Sequence, residues 1–271
     1  MLGKLFKHEF IATGRILSIL FGVLIIISPT TALYLKFRTS SLLPKDNIFF
    51  DLLTILCISA FTIAMIAAGI TTIIVLLSRF YQSMVTRESY LTHTLPVTTP
   101  QLIISKLTVA VIWQIISIIM MSLSLRIFVG ILGGWHDFST AFRELIDIFA
   151  QMGANGSNVI LLLLASLISI IVSYLKCYAS FALGHMVNGH PFIGFIVSFI
   201  AISTITQIVS SMGIFILNLI FSNFINVNFD NMESISGWLN LALVFGILVN
   251  VVWGTLYYVI TNYMFSRKLN I

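Results

Sequence analysis

Long apolar runs alternate with short polar segments along the chain, and this pattern predicts six membrane-spanning helices. Each run has at least the roughly 20 mostly apolar residues that an α-helix needs to cross a bilayer. The predicted spans are residues 16–36, 52–77, 106–130, 159–183, 191–221 and 238–262. The expected fold class is therefore all-α, a polytopic membrane protein that forms a single transmembrane domain over residues 1–271.

Composition supports the membrane class. Charged residues make up 8% of the 271 residues and apolar residues 59%, with a mean hydropathy of +1.07. A soluble domain of this length would carry far more charge on its surface. The net charge of +5 could indicate nucleic-acid binding, but the basic residues are dispersed and no nucleic-acid motif accompanies them. We expect no nucleic-acid partner.

The first segment, residues 1–15, predicts an amphipathic helix at the membrane interface. Its apolar side holds Leu2, Leu5, Phe6 and Phe10, and its basic side holds Lys4, Lys7, His8 and Arg15. Such a helix rests its apolar side in the acyl boundary and its basic side against the headgroups of membrane lipids. A signal peptide is the alternative, but this lead-in is long and no small-x-small cleavage site ends the following run.

Lysine and arginine positions predict the orientation, because cytoplasmic segments carry the excess of these residues. With the N-terminus inside, the cytoplasmic segments contain Lys4, Lys7, Arg15, Arg79, Arg87, Lys106, Arg267 and Lys268, and the outer loops contain Lys36, Arg38, Lys45 and Arg143. Both termini are then cytoplasmic. The loop at 79–106 lies inside and the loop at 131–158 lies outside.

The cytoplasmic loop at 79–106 has a helical pattern of its own. Met84, Leu91 and Leu95 share one helical stripe with Glu88, and Arg87 is beside it. Pro96 ends this short helix, and Thr99 followed by Pro100 predicts the start of the next one. A compact, turn-bounded helix between two spans is typical of a docking element.

The outer loop at 131–158 predicts a further helix with one apolar side. That side contains Phe138, Phe142, Leu145, Ile146 and Phe149, opposite Arg143, Glu144 and Asp147. A helix of this kind is either a connector resting on the outer membrane surface or a lid over a ligand, and the connector is favoured.

The fifth apolar run is longer than a bilayer requires, with no charged residue from Pro191 to Phe229. We expect a crossing helix followed by a re-entrant or surface-lying piece near Ile214 to Phe224. A polar line follows this run: Ser203, Gln207, Ser210, Ser211 and Asn218. These side chains either join helices or line a passage, and joining is favoured because they are uncharged.

Small and basic residues inside other spans suggest further contacts. Ala60, Ala64 and Ala68 with Gly69, and Gly246, Asn250 and Gly254, form lines that let another helix approach closely, within the subunit or across a dimer.

Arg126 and Lys176 lie near span ends, where they can extend to the headgroups. An ion pair of Arg126 with Asp51 or Asp137 is the alternative. Cys57 and Cys177 are predicted toward opposite membrane faces, which disfavours a disulfide.

Motifs for catalysis or nucleotide binding are absent from the sequence. It contains no G-x-x-x-x-G-K-[ST] loop, no catalytic triad pattern, no H-E-x-x-H and no paired intramembrane carboxylates. His185 and His190 lack acidic or cysteine neighbours, so no metal site is expected. A carrier driven by protons or sodium is disfavoured, because neither midplane acids nor an inverted repeat is evident.

The whole plan resembles the permease subunit of ABC type-2 exporters. The resemblance rests on the opening MLGKLFKHEF, and on Arg87 and Glu88 followed by Thr94-Leu95-Pro96-Val97, Leu102 and Lys106. It covers the full chain and is closest to small bacterial members, including permeases linked to export of antimicrobial peptides and drugs.

That resemblance implies a bacterial plasma-membrane permease that pairs with a second permease, identical or related, and with two ATPase subunits that bind ATP and Mg. It implies no catalytic centre and no cofactor in this chain. The coupling helix maps to residues 84–95, with ATPase contacts at Arg87, Glu88, Tyr90, Leu91 and Leu95. Residues 1–15 would be the connecting helix, the turn from His185 to Pro191 a smaller contact, and the fifth run the source of a re-entrant exit element.

For the cargo, antimicrobial-peptide or drug export is favoured, and export of a lipid or a glycan precursor is the alternative. A passage lined by hydroxyl, amide and aromatic groups suits an amphipathic or hydrophobic molecule better than an ion. The rival of a different class is a non-transporting sensor or scaffold that holds a soluble protein.

Overall fold

A computed structural model describes residues 2–40, 47–84, 98–133, 140, 143–144, 156–186, 191–221 and 232–268. These residues confirm the all-α class. The helices are α1 (Leu2–Thr39), α2 (Ile48–Met84), α3 (Thr99–Gly133), α4 (Gly156–Gly184), α5 (Pro191–Phe221) and α6 (Met232–Tyr263). A π-helical turn at Met264–Lys268 follows α6 directly.

All six helices contain a stretch long and apolar enough to cross a membrane, in agreement with the six predicted spans. Large aliphatic side chains such as Ile19, Ile66, Ile160 and Ile200 are more than half exposed. Contiguous apolar surface of this kind is unfavourable in water, whereas a bilayer accommodates it. A helix is also suited to lipid because it pairs its own backbone donors and acceptors. These features indicate a multi-pass membrane protein.

Two details of the helix ends differ from those expected. The predicted interfacial helix at 1–15 is not a separate element, because α1 continues from Leu2 to Thr39 without a break at Arg15. The start of α3 is at Thr99, as predicted, but the residue before it has the capping position. Thr98 accepts the first helical bonds through its carbonyl oxygen, and its N–H donates to Gln101 Oε1 at 3.4 Å, which is a capping-box arrangement.

The predicted turn within the fifth apolar run is wrong for the part that the structure describes. Helix α5 is continuous from Pro191 to Phe221, so the backbone at 214–221 extends the same helix. The physical reason is that no further proline follows Pro191 in α5, so no residue interrupts its backbone hydrogen bonds. The remainder of the proposed piece, 222–224, lies outside the described residues.

The described helices fall into two compact units, and both α2 and α3 continue from one unit into the other. The first unit contains residues 1–78 and 109–146. In it, Ser28 Oγ donates to the Ser124 carbonyl oxygen at 2.5 Å, and the hydroxyls of Thr72 and Ser117 are 3.3 Å apart. Phe61 and Phe128 stack with ring centroids 4.4 Å apart. These contacts join α1 and α2 to α3.

The N-terminal part of α1 is held in this unit by Trp113. The Phe10 and Trp113 rings stack at 4.8 Å, and a Cβ on Gly14 would lie only 2.9 Å from the indole. Near the other end of α1, Arg38 Nη2 is 2.5 Å from Asp51 Oδ1. Asp51, one alternative partner predicted for Arg126, is therefore paired with Arg38.

Small residues of α2 also pack within this unit. Ala68 is buried, and a Cβ on Gly69 would lie 3.7 Å from the Met121 side chain, whereas Ala60 is exposed. The predicted close approach of another helix to the small residues of α2 therefore occurs with α3, at the Ala68–Gly69 end.

The thiols of Cys57 and Cys177 are both free.

The second unit contains residues 79–108 and 147–271, and α4 is its central helix. Both α5 and α6 pack against α4. At the α4–α5 contact, a Cβ on Gly184 would lie 2.5 Å from the Phe195 backbone nitrogen. A Cβ on Gly194 would overlap the Gly184 carbonyl oxygen. On α6, a Cβ on Gly254 would be 3.0 Å from Val172. Small residues thus set how closely these helices approach.

We predict that Gly194→Ala destabilises the second unit by about 1–3 kcal/mol, because the added methyl group meets backbone atoms that cannot rotate away. Gly22→Ala is the matched control, since a Cβ there has nothing within 4 Å. The measurement is thermal denaturation of the purified protein in detergent. Equal melting temperatures for the two variants would contradict the close approach at Gly194.

Candidate functional site

The predicted coupling residues Arg87, Glu88, Tyr90, Leu91 and Leu95 lie outside the described residues, in segment 85–97. The structure does describe the two helix ends that flank this segment. Helix α2 ends at Met84, which is fully buried, and α3 begins at Thr99. Lys106, on the first turns of α3, is 6% exposed. The segment therefore starts at a packed part of the second unit, and α3 becomes buried at Leu102, a few residues after the segment ends.

An aromatic cluster anchors the end of α2. Phe80 stacks face to face on Tyr178 of α4, with ring centroids 3.6 Å apart and an interplanar angle of 6°. Phe80 also meets the edge of Phe265 at 6.0 Å and lies 6.4 Å from Phe181. Phe181 stacks in turn on Phe195 of α5 at 4.0 Å. This cluster connects the last turn of α2, just before segment 85–97, with α4, α5 and the turn after α6.

Among the members of the predicted polar line on α5 whose side chains are described, Ser210 forms a hydrogen bond to another helix. Ser210 Oγ accepts a hydrogen bond from Trp253 Nε1 of α6 at 3.2 Å, which is the helix-joining role that was favoured. Gln207 and Ser211 are exposed, and Ser211 donates to the Ile208 carbonyl oxygen of its own helix. The buried Ser203 Oγ has no hydrogen-bond partner among the described residues. Asn218 lies on α5, but its side chain is outside the description.

A cavity of about 480 Å³ lies between α4, α5 and α6, and Ser210 is part of its wall. Its lining combines polar and apolar side chains: Ser169, Val172, Ser173, Lys176, Thr206, Ser210, Ile214, Leu241, Ala242, Phe245, Gly246, Val249, Asn250, Trp253 and Tyr257. Ser169, Ser173 and Ala242 are exposed, so the cavity opens to the outside of the helices. Its volume is in the range of sites that bind small molecules.

Two hydrogen bonds fix the distance between α5 and α6 at this cavity. Besides the Ser210–Trp253 bond, the hydroxyls of Thr206 and Tyr257 are 2.5 Å apart. Thr206 Oγ1 also lies 2.6 Å from the Ile202 carbonyl oxygen, which can only accept. The single hydroxyl hydrogen of Thr206 is therefore used within α5, and Tyr257 donates to Thr206. Trp253 and Tyr257 stack with centroids 5.8 Å apart.

Lys176 contributes the only charged side chain among the residues that line this cavity. Its Nζ lies 4.8 Å from the centroid of the Phe199 ring on α5. The sequence suggested that Lys176 extends to the headgroups and did not predict this aromatic contact. The physical reason is that α5 packs on α4 and presents an aromatic face to the ammonium group, which attracts a cation.

Sequence reasoning missed several of the lining residues, although a usable signal was present. On α4, Ser169, Ser173 and Lys176 are spaced four and three residues apart and so share one helical face. Asn250, Trp253 and Tyr257 repeat this spacing on α6. The sequence analysis treated each of these residues singly, as one that extends to the headgroups or packs against a neighbour. It therefore did not show that the polar faces of several helices meet at one cavity.

Of the two histidines that follow α4, the structure describes His185. His185 Nδ1 is buried without a hydrogen-bond partner in the described part of the chain, and His190 lies outside that part. Among the residues searched, no group of three or more histidine, cysteine or acidic side chains could hold a metal ion.

Comparisons with protein-family models, with curated proteins and with solved structures find no match to this chain. Function must therefore be inferred from the residues of this chain. Since one fold supports many functions, the contents of the cavity and the contacts around segment 85–97 matter more than the helical architecture.

We predict an energetic coupling of about 0.6 kcal/mol, with an upper value of about 1.7 kcal/mol, between Thr206 and Tyr257, which is the range for hydrogen bonds between membrane helices. The measurement is a double-mutant cycle of Thr206→Val and Tyr257→Phe on unfolding free energy. Thr204 bonds only within its own helix, so Thr204→Val with Tyr257→Phe is the control and should be additive. Additivity in both cycles would contradict the bond across α5 and α6.

Proposed function

We propose that this chain is the permease subunit of an ATP-driven exporter of the ABC type-2 class. It moves an amphipathic or hydrophobic molecule out across the membrane by alternating access, powered by separate ATPase subunits. Two permeases, identical or related, meet two ATPases that bind ATP and Mg. In this proposal the chain lies in the bacterial plasma membrane with both termini in the cytoplasm.

The observation that carries the proposal is the cavity enclosed by α4, α5 and α6. A membrane protein whose role is only to span or to anchor has no need of an open, partly polar cavity among its apolar helices. Here hydroxyl, amide and indole groups converge with aromatic and aliphatic walls in about 480 Å³. Such a mixture suits a ligand that has both polar and apolar parts.

The source of energy has to be another protein. The sequence has no phosphate-binding loop, so ATP binding falls to a partner. Segment 85–97 is the proposed docking site, through Arg87, Glu88, Tyr90, Leu91 and Leu95. It follows directly after the α2 turn that contains Phe80 and Met84, both of them buried.

Force applied to this segment has a short physical route to the cavity. Phe80 stacks on Tyr178, and Tyr178 belongs to α4, the helix that also carries Lys176. Residues two apart on a helix point to different sides, so Tyr178 contacts α2 while Lys176 faces the cavity. A displacement of the α2 end would then move α4 and change the cavity wall. Closure of the ATPase pair on ATP binding would supply that displacement.

Antimicrobial-peptide or drug export is the leading choice of cargo, and it rests on the family resemblance. Export of a lipid or glycan precursor is the alternative, and the cavity favours it in one respect. A volume of about 480 Å³ is too small for a whole peptide of many residues but large enough for a small amphipath. The non-transporting sensor or scaffold stays as the rival class. A neighbouring gene for an ATPase favours transport, whereas a kinase gene favours the rival.

We predict that Glu88→Lys uncouples ATP hydrolysis from substrate. The reversed charge would repel the basic partner group that pairs with Glu88, so substrate-stimulated hydrolysis should fall to the basal rate while the helices remain folded. The measurement is ATP turnover of the purified permease–ATPase complex with and without substrate. Glu144→Lys is the matched control, because Glu144 is exposed in the predicted outer loop. Full stimulation and normal assembly of Glu88→Lys would contradict the docking assignment.

A further inference from the structure

The cavity has a polar, cationic end and an apolar end. Contacts between α5 and α6 show the order of the lining residues from one end of the cavity to the other. Thr206 meets Tyr257, Ser210 meets Trp253, and a Cβ on Gly213 would lie 3.7 Å from Phe245. Lys176 belongs at the Thr206 end, because its Nζ lies over Phe199, which precedes Thr206 by two helical turns. Ile214, Leu241, Ala242 and Phe245 form the opposite end.

Among the described residues that line the cavity, no carboxylate balances Lys176. The lining residues include neither aspartate nor glutamate, and α4 and α5 contain no acidic residue over their whole length. Helix α6 has Glu233, which precedes Leu241, the first α6 residue of the lining, by roughly 12 Å along the helix axis at 1.5 Å per residue. The described lining of the cavity therefore carries a net positive charge.

A half-buried ammonium group among apolar helices is costly to keep without an anion. The Phe199 ring offsets only part of this cost, since a cation–π contact contributes less than an ion pair with good hydrogen bonds. An anionic group that enters the cavity would supply an ion pair to Lys176. Lys176 thus favours ligands with a negative head over neutral or cationic ones.

Hydroxyl groups that line the same cavity can add hydrogen bonds to such a ligand. Ser210 accepts from the Trp253 indole, which leaves its own hydroxyl hydrogen to donate. Ser169 lies on the same face of α4 as Lys176 and lines the cavity with it, whereas the Ser173 hydroxyl donates to the Ile170 carbonyl oxygen of its own helix. The Tyr257 hydroxyl, in contrast, already donates to Thr206, so it holds the wall in place.

We propose that this cavity binds an anionic amphipath, with a carboxylate or phosphate head at Lys176 and an apolar tail directed toward Phe245 and Leu241. From Thr206 to Ile214 the α5 wall extends for roughly 12 Å, which fits one tail of a small amphipath. As a statement about the exported substrate, the inference rests on the proposed function. As a statement about binding, it concerns this chain alone.

Trp253 provides a direct readout, because bromine atoms quench indole fluorescence at short range. The test uses the purified full chain in phosphatidylcholine nanodiscs, titrated with a dibrominated fatty acid, with its uncharged methyl ester and with a brominated lysophosphatidic acid. We expect saturable quenching by at least one of the two acids and at least about tenfold weaker binding of the ester. Trp253→Phe should lose this saturable part. Equal binding of ester and acids, or unchanged quenching in Trp253→Phe, would overturn the proposal.

The role of the charge is tested by two substitutions at one position. Lys176→Met retains the apolar stem and should weaken binding of the acid about tenfold or more, whereas Lys176→Arg should bind within about threefold of the unmodified protein. Arg126→Gln, in the first unit, is the control for loss of a positive charge and should bind normally. Unweakened binding by Lys176→Met would overturn the assignment of the head to Lys176.

The position of the tail is tested by filling the cavity. A Cβ on Gly246 has nothing within 4 Å, so Gly246→Leu can occupy the cavity without a backbone clash. It should abolish saturable quenching. Gly22→Leu makes the same change on α1, where a Cβ also meets nothing, and should have no effect. Normal binding by Gly246→Leu would contradict the site.

The outcomes separate this inference from the exporter proposal, because the binding assay contains no ATPase. Absence of saturable binding overturns the anionic-ligand inference and leaves the docking of segment 85–97 to the Glu88→Lys measurement. Binding together with unaltered coupling in Glu88→Lys would instead retain the ligand site and overturn the assigned coupling route.

Discussion

Lipid offers polar groups no hydrogen-bond partners, and this constraint organises the described part of the molecule. Most hydroxyl groups in the helices satisfy it locally, by donating to a carbonyl oxygen one turn earlier. Thr72, Thr206 and Thr261 all do so at 2.6–2.8 Å. The few polar side chains that reach a neighbouring helix are therefore informative, because they mark where helices are held together or where a polar ligand can be met.

In the second unit these polar contacts converge on one place. The Thr206–Tyr257 and Ser210–Trp253 bonds join α5 to α6, and both α5 and α6 pack on α4. The space left between the three helices receives the ammonium group of Lys176. On another side of α4, Tyr178 and Phe181 pack against the end of α2. A single helix thus contributes both to the cavity wall and to the cluster next to the proposed docking segment.

The sequence predicted the features that depend on long averages and missed those that depend on side-chain direction. Six spans could be recognised because a run of about 20 apolar residues has few alternatives to a membrane helix. The continuity of α5 through Phe221 could not, since length alone does not distinguish a long helix from one that turns. For Ser210 the sequence left helix joining and passage lining open, and Ser210 both bonds to Trp253 of α6 and lines the cavity. Lys176 was assigned to the headgroups, because its position near a span end did not reveal the Phe199 ring facing it.

The central claim is that this membrane chain receives energy through segment 85–97, and site-specific crosslinking in cells tests it most directly. A photoreactive amino acid placed at Tyr90 should form an adduct with an ATPase subunit that contains a G-x-x-x-x-G-K-[ST] loop. The same amino acid at Ser40, which is exposed beyond the end of α1 in the predicted outer loop, should not. Absence of any nucleotide hydrolase at Tyr90, or equal capture at Ser40, would contradict the account.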